Sequence, residues 1–139
     1  MKFFTPEHLR ARRPRLVTWL GKFLMKISGW KTTGNLPEDE RVVLVAGPHT
    51  SNWDFVLAMS LILSLDVRIH WVGKHSIFKK GFRRLLKKMG GIPVNRINPE
   101  ALKGEIDNIT NKYKGFAIAI SPEGTRKKVA RLKSGFLRI

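Results

Sequence analysis

Apolar residues between positions 16 and 30 recur at the spacing of one helix face. They are Leu16, Val17, Trp19, Leu20, Phe23, Leu24, Ile27 and Trp30. At about 100° per residue they cover one arc, and basic and polar residues cover the other. Pro14 precedes them, where the first position of a helix tolerates proline. The pattern therefore predicts an amphipathic helix from Leu16 to Trp30.

The apolar face of this helix has two interpretations. Two tryptophans on that face and lysines on the polar face are typical of a helix that lies in a membrane interface. The same face would also suit a helix that packs on its own domain. The two interpretations are compatible, because one helix can share its surface between core and lipid.

The rest of the chain alternates short apolar runs with helical patterns. Strands are predicted at 41–46, 67–72, 92–94 and 116–120, and helices at 52–65, 77–89 and after Asn98-Pro99. Strands that alternate with helices of this length indicate an α/β fold with a mostly parallel central sheet flanked by helices. We expect the amphipathic region at residues 1–35 and the α/β domain at residues 36–139.

The predicted helix at 77–89 is unusually basic. Its cations are Lys79, Lys80, Arg83, Arg84, Lys87 and Lys88. A run of this kind commonly marks a solvated face, but its members repel one another, and an anionic surface would relieve that repulsion.

Composition narrows the class of protein. The 139 residues suffice for one domain with a hydrophobic core, and the absence of cysteine excludes disulfides and thiolate chemistry. No stretch reaches the roughly 20 apolar residues that span a bilayer. With 27 Lys+Arg against 10 Asp+Glu, the net charge is +17, which indicates a polyanionic partner: nucleic acid, an anionic membrane or a phosphorylated substrate.

Polar residues follow each predicted strand. In an open parallel sheet, ligands bind beyond the carboxyl ends of the strands, and these ends share one edge. The residues expected to meet there are His49, Asp54, Lys74, Arg96, Glu123 and Arg126. We therefore expect one imidazole, two carboxylates and several cations at this edge.

His49 and Asp54 are suited to proton transfer. An imidazole with a pKa near ~6.5 accepts a proton at neutral pH, and a carboxylate on its other nitrogen would fix its tautomer. No nucleophile is clearly paired with His49, which favours direct attack by a substrate hydroxyl over a covalent intermediate. The alternative is structural, because Ser51-x-x-Asp54 also matches a helix capping box.

The segment from Ser121 to Arg126 likewise has two interpretations. Ser121 and Pro122 are typical of a helix N-terminus. The same geometry exposes backbone N–H groups which, with Thr125 and Arg126, would bind a phosphate.

Three blocks of this sequence resemble those of the glycerolipid acyltransferases. His49 to Asp54 matches their HxxxxD block, Gly91 to Arg96 resembles a second, and Pro122 to Arg126 matches their PEGTR block. Lys133-Ser134-Gly135-Phe136 resembles the turn that follows. The similarity is greatest to the 1-acyl-sn-glycerol-3-phosphate acyltransferases.

The resemblance implies a role for each matching position. His49 would be the general base and Asp54 would orient it, while the oxygen of the acceptor attacks an acyl thioester. The acceptor's glycerol phosphate would be bound by Arg96, Glu123, Gly124, Thr125 and Arg126, with Lys74 as a further candidate.

The family also implies the partners and the location. The donor would be acyl-CoA or acyl carrier protein, and the acceptor a lysophospholipid. The resemblance implies no metal and no resident cofactor. The enzyme would be cytoplasmic and peripherally attached to the inner face of the cell membrane, in phospholipid biosynthesis.

Two departures from the family's pattern bear on substrate and completeness. The family's fourth block should follow Phe136, but the chain stops at Ile139, so we expect the C-terminal part of the domain to be missing. Asn52-Trp53 is typical of a variant subgroup, which leaves a different lysolipid or an aminolipid open as acceptor. A basic nucleic-acid-binding protein is the alternative from another class, but no nucleic-acid motif is visible, so none is expected as partner.

Overall fold

Four parallel strands form the centre of the fold in a computed structural model, which describes residues 4–47, 52–94 and 99–121. The strands are β1 (Arg41–Val45), β2 (Ile69–Lys74), β3 (Gly91–Val94) and β4 (Phe116–Ile120), in the spatial order β1-β4-β2-β3. The predicted α/β fold with a parallel central sheet is therefore confirmed. β4 is apolar along its whole length because it lies inside the sheet and is covered on both faces.

Within the described ranges, four α-helices accompany the sheet: α1 (Arg15–Ser28), α2 (Asn52–Leu65), α3 (Arg83–Lys88) and α4 (Pro99–Lys112). Met59 and Ile62 of α2 belong to the hydrophobic core on one face of the sheet, together with Trp71 of β2. Ile109 of α4 packs with Phe116 and other β4 residues on the opposite face. Each face of the sheet is thus buried by a helix that follows one of its strands.

The N-terminal segment before α1 is part of the core. Leu9 is fully buried, and its carbonyl oxygen accepts a hydrogen bond of 2.7 Å from the Arg68 backbone N–H. The Thr5 hydroxyl donates to the Leu65 carbonyl oxygen at 2.8 Å. These contacts attach the start of the chain to the connection between α2 and β2.

The predicted helix at 16–30 is confirmed as α1, but its larger apolar arc does not face the protein. α1 packs on α2 at Gly21, where an added Cβ would lie 2.5 Å from the Ser64 backbone nitrogen. Val17 and Met25, one turn to each side of Gly21, are half-buried. The exposed apolar residues of this region are Leu16, Trp19, Leu20, Phe23, Leu24, Ile27 and Trp30. We call these seven residues the exposed apolar arc.

The predicted start of β2 is wrong because of a partner that is distant in the chain, and that of the helix at 77–89 is wrong because of a local backbone conformation. β2 was predicted at 67–72 but begins at Ile69, because Val67 forms an antiparallel bridge with Arg10 instead of joining the sheet. The helix predicted at 77–89 is reduced to α3, because Gly81 has a φ of 98°, in the left-handed region that a helix does not use. Phe82, which precedes α3, is exposed.

No helix within the described residues is both long enough and apolar enough to cross a bilayer.

Two glycines inside helices provide a matched test of the α1–α2 contact. Gly21→Ala should lower the free energy of unfolding by about 1–3 kcal/mol, because the new methyl group clashes with the backbone of α2. Gly104→Ala in α4 should raise it by about 0.5–1 kcal/mol, because no described atom lies within 4 Å of the new methyl group and alanine is the better helix former. Urea denaturation measures both, and equal effects of the two substitutions would contradict the close contact.

Candidate functional site

The carboxyl ends of the four strands meet at one edge of the sheet, which we call the carboxyl edge. Val45 of β1 is paired with Ile120 of β4, and the Ala46 N–H donates to the Ile120 carbonyl oxygen at 2.9 Å. On the other side, Lys74 of β2 is paired with Val94 of β3. The chain segments that lead to the predicted site residues therefore start from the ends of paired strands.

Most of those predicted residues lie outside the described ranges. They are His49, Arg96, Glu123, Gly124, Thr125 and Arg126. Their roles stay predictions. The described positions nearest to them along the chain are Gly47, Val94 and Ser121, at the carboxyl ends of β1, β3 and β4.

Asp54 lies in the first turn of α2 and is half-buried. A carboxylate there interacts favourably with the N-terminal end of the helix dipole. This position is compatible with both interpretations, the capping residue and the partner of an imidazole.

Aromatic packing fixes the start of α2 against β2. Phe55, next to Asp54, meets the Trp71 ring edge-on with 5.0 Å between ring centroids. The Trp71 indole N–H donates to the Met89 carbonyl oxygen at 3.1 Å, and its ring stacks on Phe78 at 5.6 Å. The backbone at Asp54 is thereby held at a defined place relative to the carboxyl edge.

Lys74 is the last residue of β2 and is exposed. Because β2 pairs with β3, Lys74 lies beside the strand that leads to Arg96. His75 follows in a short 3-10 turn (His75–Ile77) and is also exposed. Among the described residues, Lys74 and His75 therefore place one cation and one imidazole at this edge.

Trp53, which the sequence linked only to a variant subgroup, has a side chain that is 73% exposed beside Asp54. An aromatic residue inside a polar block is the signal that would have marked it. Large exposed aromatic side chains next to polar groups commonly contact ligands or partners.

His70 lies at the opposite, amino-terminal edge of the sheet, near the start of β2. Burial lowers the pKa of His70 below its ordinary value, and the positive charges of Arg68, Lys112 and Arg13 lower it further. Its ring also approaches Tyr113, with 6.0 Å between centroids. This histidine is therefore a structural residue that is neutral at pH 7, remote from the carboxyl edge.

A family model described as Acyltransferase matches residues 30–139 of the chain. No curated protein and no solved structure matches.

The lowered pKa of His70 predicts how stability depends on pH. Between the ordinary pKa of histidine, about 6.5, and the lower folded-state value, the unfolded chain binds a proton that the folded protein does not. Stability is therefore lost as the pH falls through this range, by at most about 1.4 kcal/mol per pH unit for one proton.

The substitution His70→Gln should remove this contribution. Urea denaturation of both proteins at pH 7.5, 6.5 and 5.5 measures it, and the variant should show the flatter profile. Parallel profiles would contradict the assignment.

Proposed function

Because the chain belongs to the acyltransferase family, we propose that it moves a fatty acyl chain from an acyl thioester to the hydroxyl of a lysolipid. The acceptor is 1-acyl-sn-glycerol-3-phosphate or a similar lysolipid, and the donor is acyl-CoA or acyl carrier protein. The observation that carries the proposal is the parallel pairing of β1 with β4. These two strands lead directly into the HxxxxD and PEGTR blocks.

His49 acts as the general base in the proposed reaction. Its imidazole removes the proton of the acceptor hydroxyl as the oxygen attacks the thioester carbonyl carbon. The C–S bond then breaks, and the departing thiolate takes the proton from the imidazolium, so no acyl-enzyme forms. Asp54 orients the imidazole and stabilises its charged form. The position of Asp54 in the anchored first turn of α2 supports this role.

The phosphate of the acceptor is bound by cations and backbone groups at the carboxyl edge. Arg96 and the Glu123-Gly124-Thr125-Arg126 segment supply these contacts, with Lys74 as an additional cation. The exposed position of Lys74 beside β3 and the net charge of +17 support an anionic substrate at this edge.

The exposed apolar arc of α1 attaches the enzyme to the cytoplasmic face of the membrane. Trp19 and Phe23 are 58% and 46% exposed, and their rings stack with 5.4 Å between centroids. Lys22 and Lys26 on the same helix are also exposed and would meet anionic headgroups. Attachment through α1 keeps the reaction close to its lipid acceptor.

His49→Ala should lower acceptor-dependent thiol release from palmitoyl-CoA by about a hundredfold to ten-thousandfold, because general base catalysis contributes that much. His75→Ala is the matched control, since His75 is an exposed imidazole that follows β2 at the carboxyl edge. It should retain activity close to that of the unaltered protein.

The same pair of variants can contradict the assignment. Loss of activity in His75→Ala with retention in His49→Ala would transfer the role of base to His75. Retention in both would exclude His49 and His75 as the base. Matching circular dichroism spectra establish that the variants are folded.

The double substitution Trp19→Ser and Phe23→Ser should weaken binding to vesicles that contain phosphatidylglycerol by at least about tenfold, because two large apolar side chains no longer enter the interface. Tm should change little, because both residues are exposed. Vesicle sedimentation and thermal unfolding measure the two effects. Unchanged vesicle binding would exclude the exposed apolar arc as the attachment surface.

A further inference from the structure

A cavity of about 590 Å³ opens at the amino-terminal edge of the sheet, on the opposite side from the proposed acyl-transfer site. Its walls include Ile69 and His70 at the start of β2, and Gly91 and Ile92 at the start of β3. Its volume lies within the roughly 300–1,000 Å³ typical of small-molecule sites. The proposed acyl transfer does not use this cavity.

The cavity is strongly basic. Its lining contains five arginine and lysine side chains and one carboxylate, that of Glu105. The cations are Arg13, Arg68, Lys87, Lys88 and Lys112. They come from the segment before α1, the start of β2, and the ends of α3 and α4, so the charge is assembled by the fold and not by one basic run.

The described acidic groups neutralise only part of this charge. Glu105 lies 4.0 Å from the Lys87 Nζ, and Asp66, outside the lining, lies 3.6 Å from the Arg13 guanidinium. The C-terminal ends of α3 and α4 contribute about half a negative charge each. The remaining cations, Arg68, Lys88 and Lys112, carry more positive charge than the two helix ends offset.

Arg68 and Lys112 are held by uncharged partners. The Arg68 guanidinium lies 4.4 Å from the centroid of the Tyr113 ring and donates to the Gly115 carbonyl oxygen at 3.0 Å. The Lys112 ammonium lies 5.3 Å from the centroid of the same ring. These contacts orient both cations and leave their charge available to an anion.

His70 lies in the lining of the same cavity. Its Nε2 atom is buried, and no described group is hydrogen-bonded to it. Because solvent does not reach this atom, an anion in the cavity would act on His70 through its charge and not through a hydrogen bond to Nε2.

We propose that this cavity is a second binding site, which takes an anion bearing a phosphate group. The phosphate lies among Arg68, Lys88 and Lys112, and the apolar walls formed by Ile69, Ile92 and Ile109 contact the organic part of the ligand. The phosphate belongs to a lipid headgroup or to a soluble phosphate ester. The proposal is independent of the acyl-transfer reaction at the carboxyl edge.

Two double variants test the proposal at equal net charge. Lys88→Gln with Lys112→Gln removes one cavity cation from α3 and one from α4. The control, Lys79→Gln with Lys103→Gln, removes one exposed lysine shortly before α3 and one from α4, neither of which lines the cavity. Arg68 is left unchanged because of its hydrogen bond to Gly115. Equal Tm values confirm that both variants are folded.

Binding is measured at constant ionic strength with two probes. Inorganic pyrophosphate, followed by calorimetry, represents soluble phosphate. Phosphatidylcholine vesicles containing phosphatidate, followed by sedimentation, represent a lipid headgroup. The cavity variant should bind one of these probes at least about tenfold more weakly than the control does, since each lost charged hydrogen bond contributes at least that factor.

The pKa of His70 reports whether the anion binds in the cavity. An anion in the cavity should raise the pKa of His70, followed by NMR titration of its imidazole, which is assigned by the loss of its signal in His70→Gln. The groups that face this ring, Arg68, Lys112, Arg13 and Tyr113, are all retained in the protein titrated.

Each outcome decides the proposal. Selective weakening in the pyrophosphate arm identifies a soluble phosphate ester as ligand, and selective weakening in the vesicle arm identifies a lipid headgroup. Equal weakening by the two double variants with both probes would reduce the effect to diffuse charge and overturn the proposal. A His70 pKa that pyrophosphate leaves unchanged, together with equal vesicle binding by the two variants, would overturn it as well.

Discussion

The parallel pairing of β1 with β4 is the constraint on which the arrangement of this molecule depends. It joins the first strand of the chain to the last described strand, from Arg41↔Phe116 to Val45↔Ile120. Parallel neighbours need a crossover between them, and here α2, β2, β3 and α4 all lie within that connection. Because β4 enters between β1 and β2, the chain segments that follow β1 and β4 start side by side. Any chemistry shared by those segments rests on this one register.

The second constraint is the contact between α1 and α2, which separates packing from exposure on one helix. Gly21 lets the two backbones approach, so α1 is fixed to the domain through a narrow side that contains few large residues. Its larger side chains are then left in solvent, as the stacked Trp19 and Phe23 show. Exposure of this much apolar surface is unfavourable for an isolated soluble protein and favourable at a lipid interface. The way α1 is attached therefore determines which surface is offered outwards.

The sequence predicted what depends on local patterns and missed what depends on distant partners. The four strands, α1 and α4 follow from periodicity within a few residues, and the parallel sheet follows from their alternation. The start of β2 could not be predicted, because Val67 pairs with Arg10, far away in the chain. The orientation of α1 depends on Ser64 and Leu63 of α2, which pattern alone does not connect to Gly21. Six of the predicted site residues lie outside the described ranges and were inferred from their sequence blocks alone. The register of β1 with β4 shows only that the two strands before the HxxxxD and PEGTR blocks end side by side.

The two basic regions of the molecule are electrostatically independent under physiological conditions. β2 is six residues long, so Lys74 at its carboxyl end lies about 13 Å from His70 and about 16 Å from Ile69, at the end where the cavity opens. The Debye length at physiological ionic strength is about 8 Å, and exposed charges further apart than this are largely screened from one another. An anion at the amino-terminal edge would therefore neutralise Arg68 and Lys112 without reducing the attraction of the carboxyl edge for a phosphorylated acceptor. The two proposed anion sites would therefore act separately, at opposite ends of one short parallel sheet.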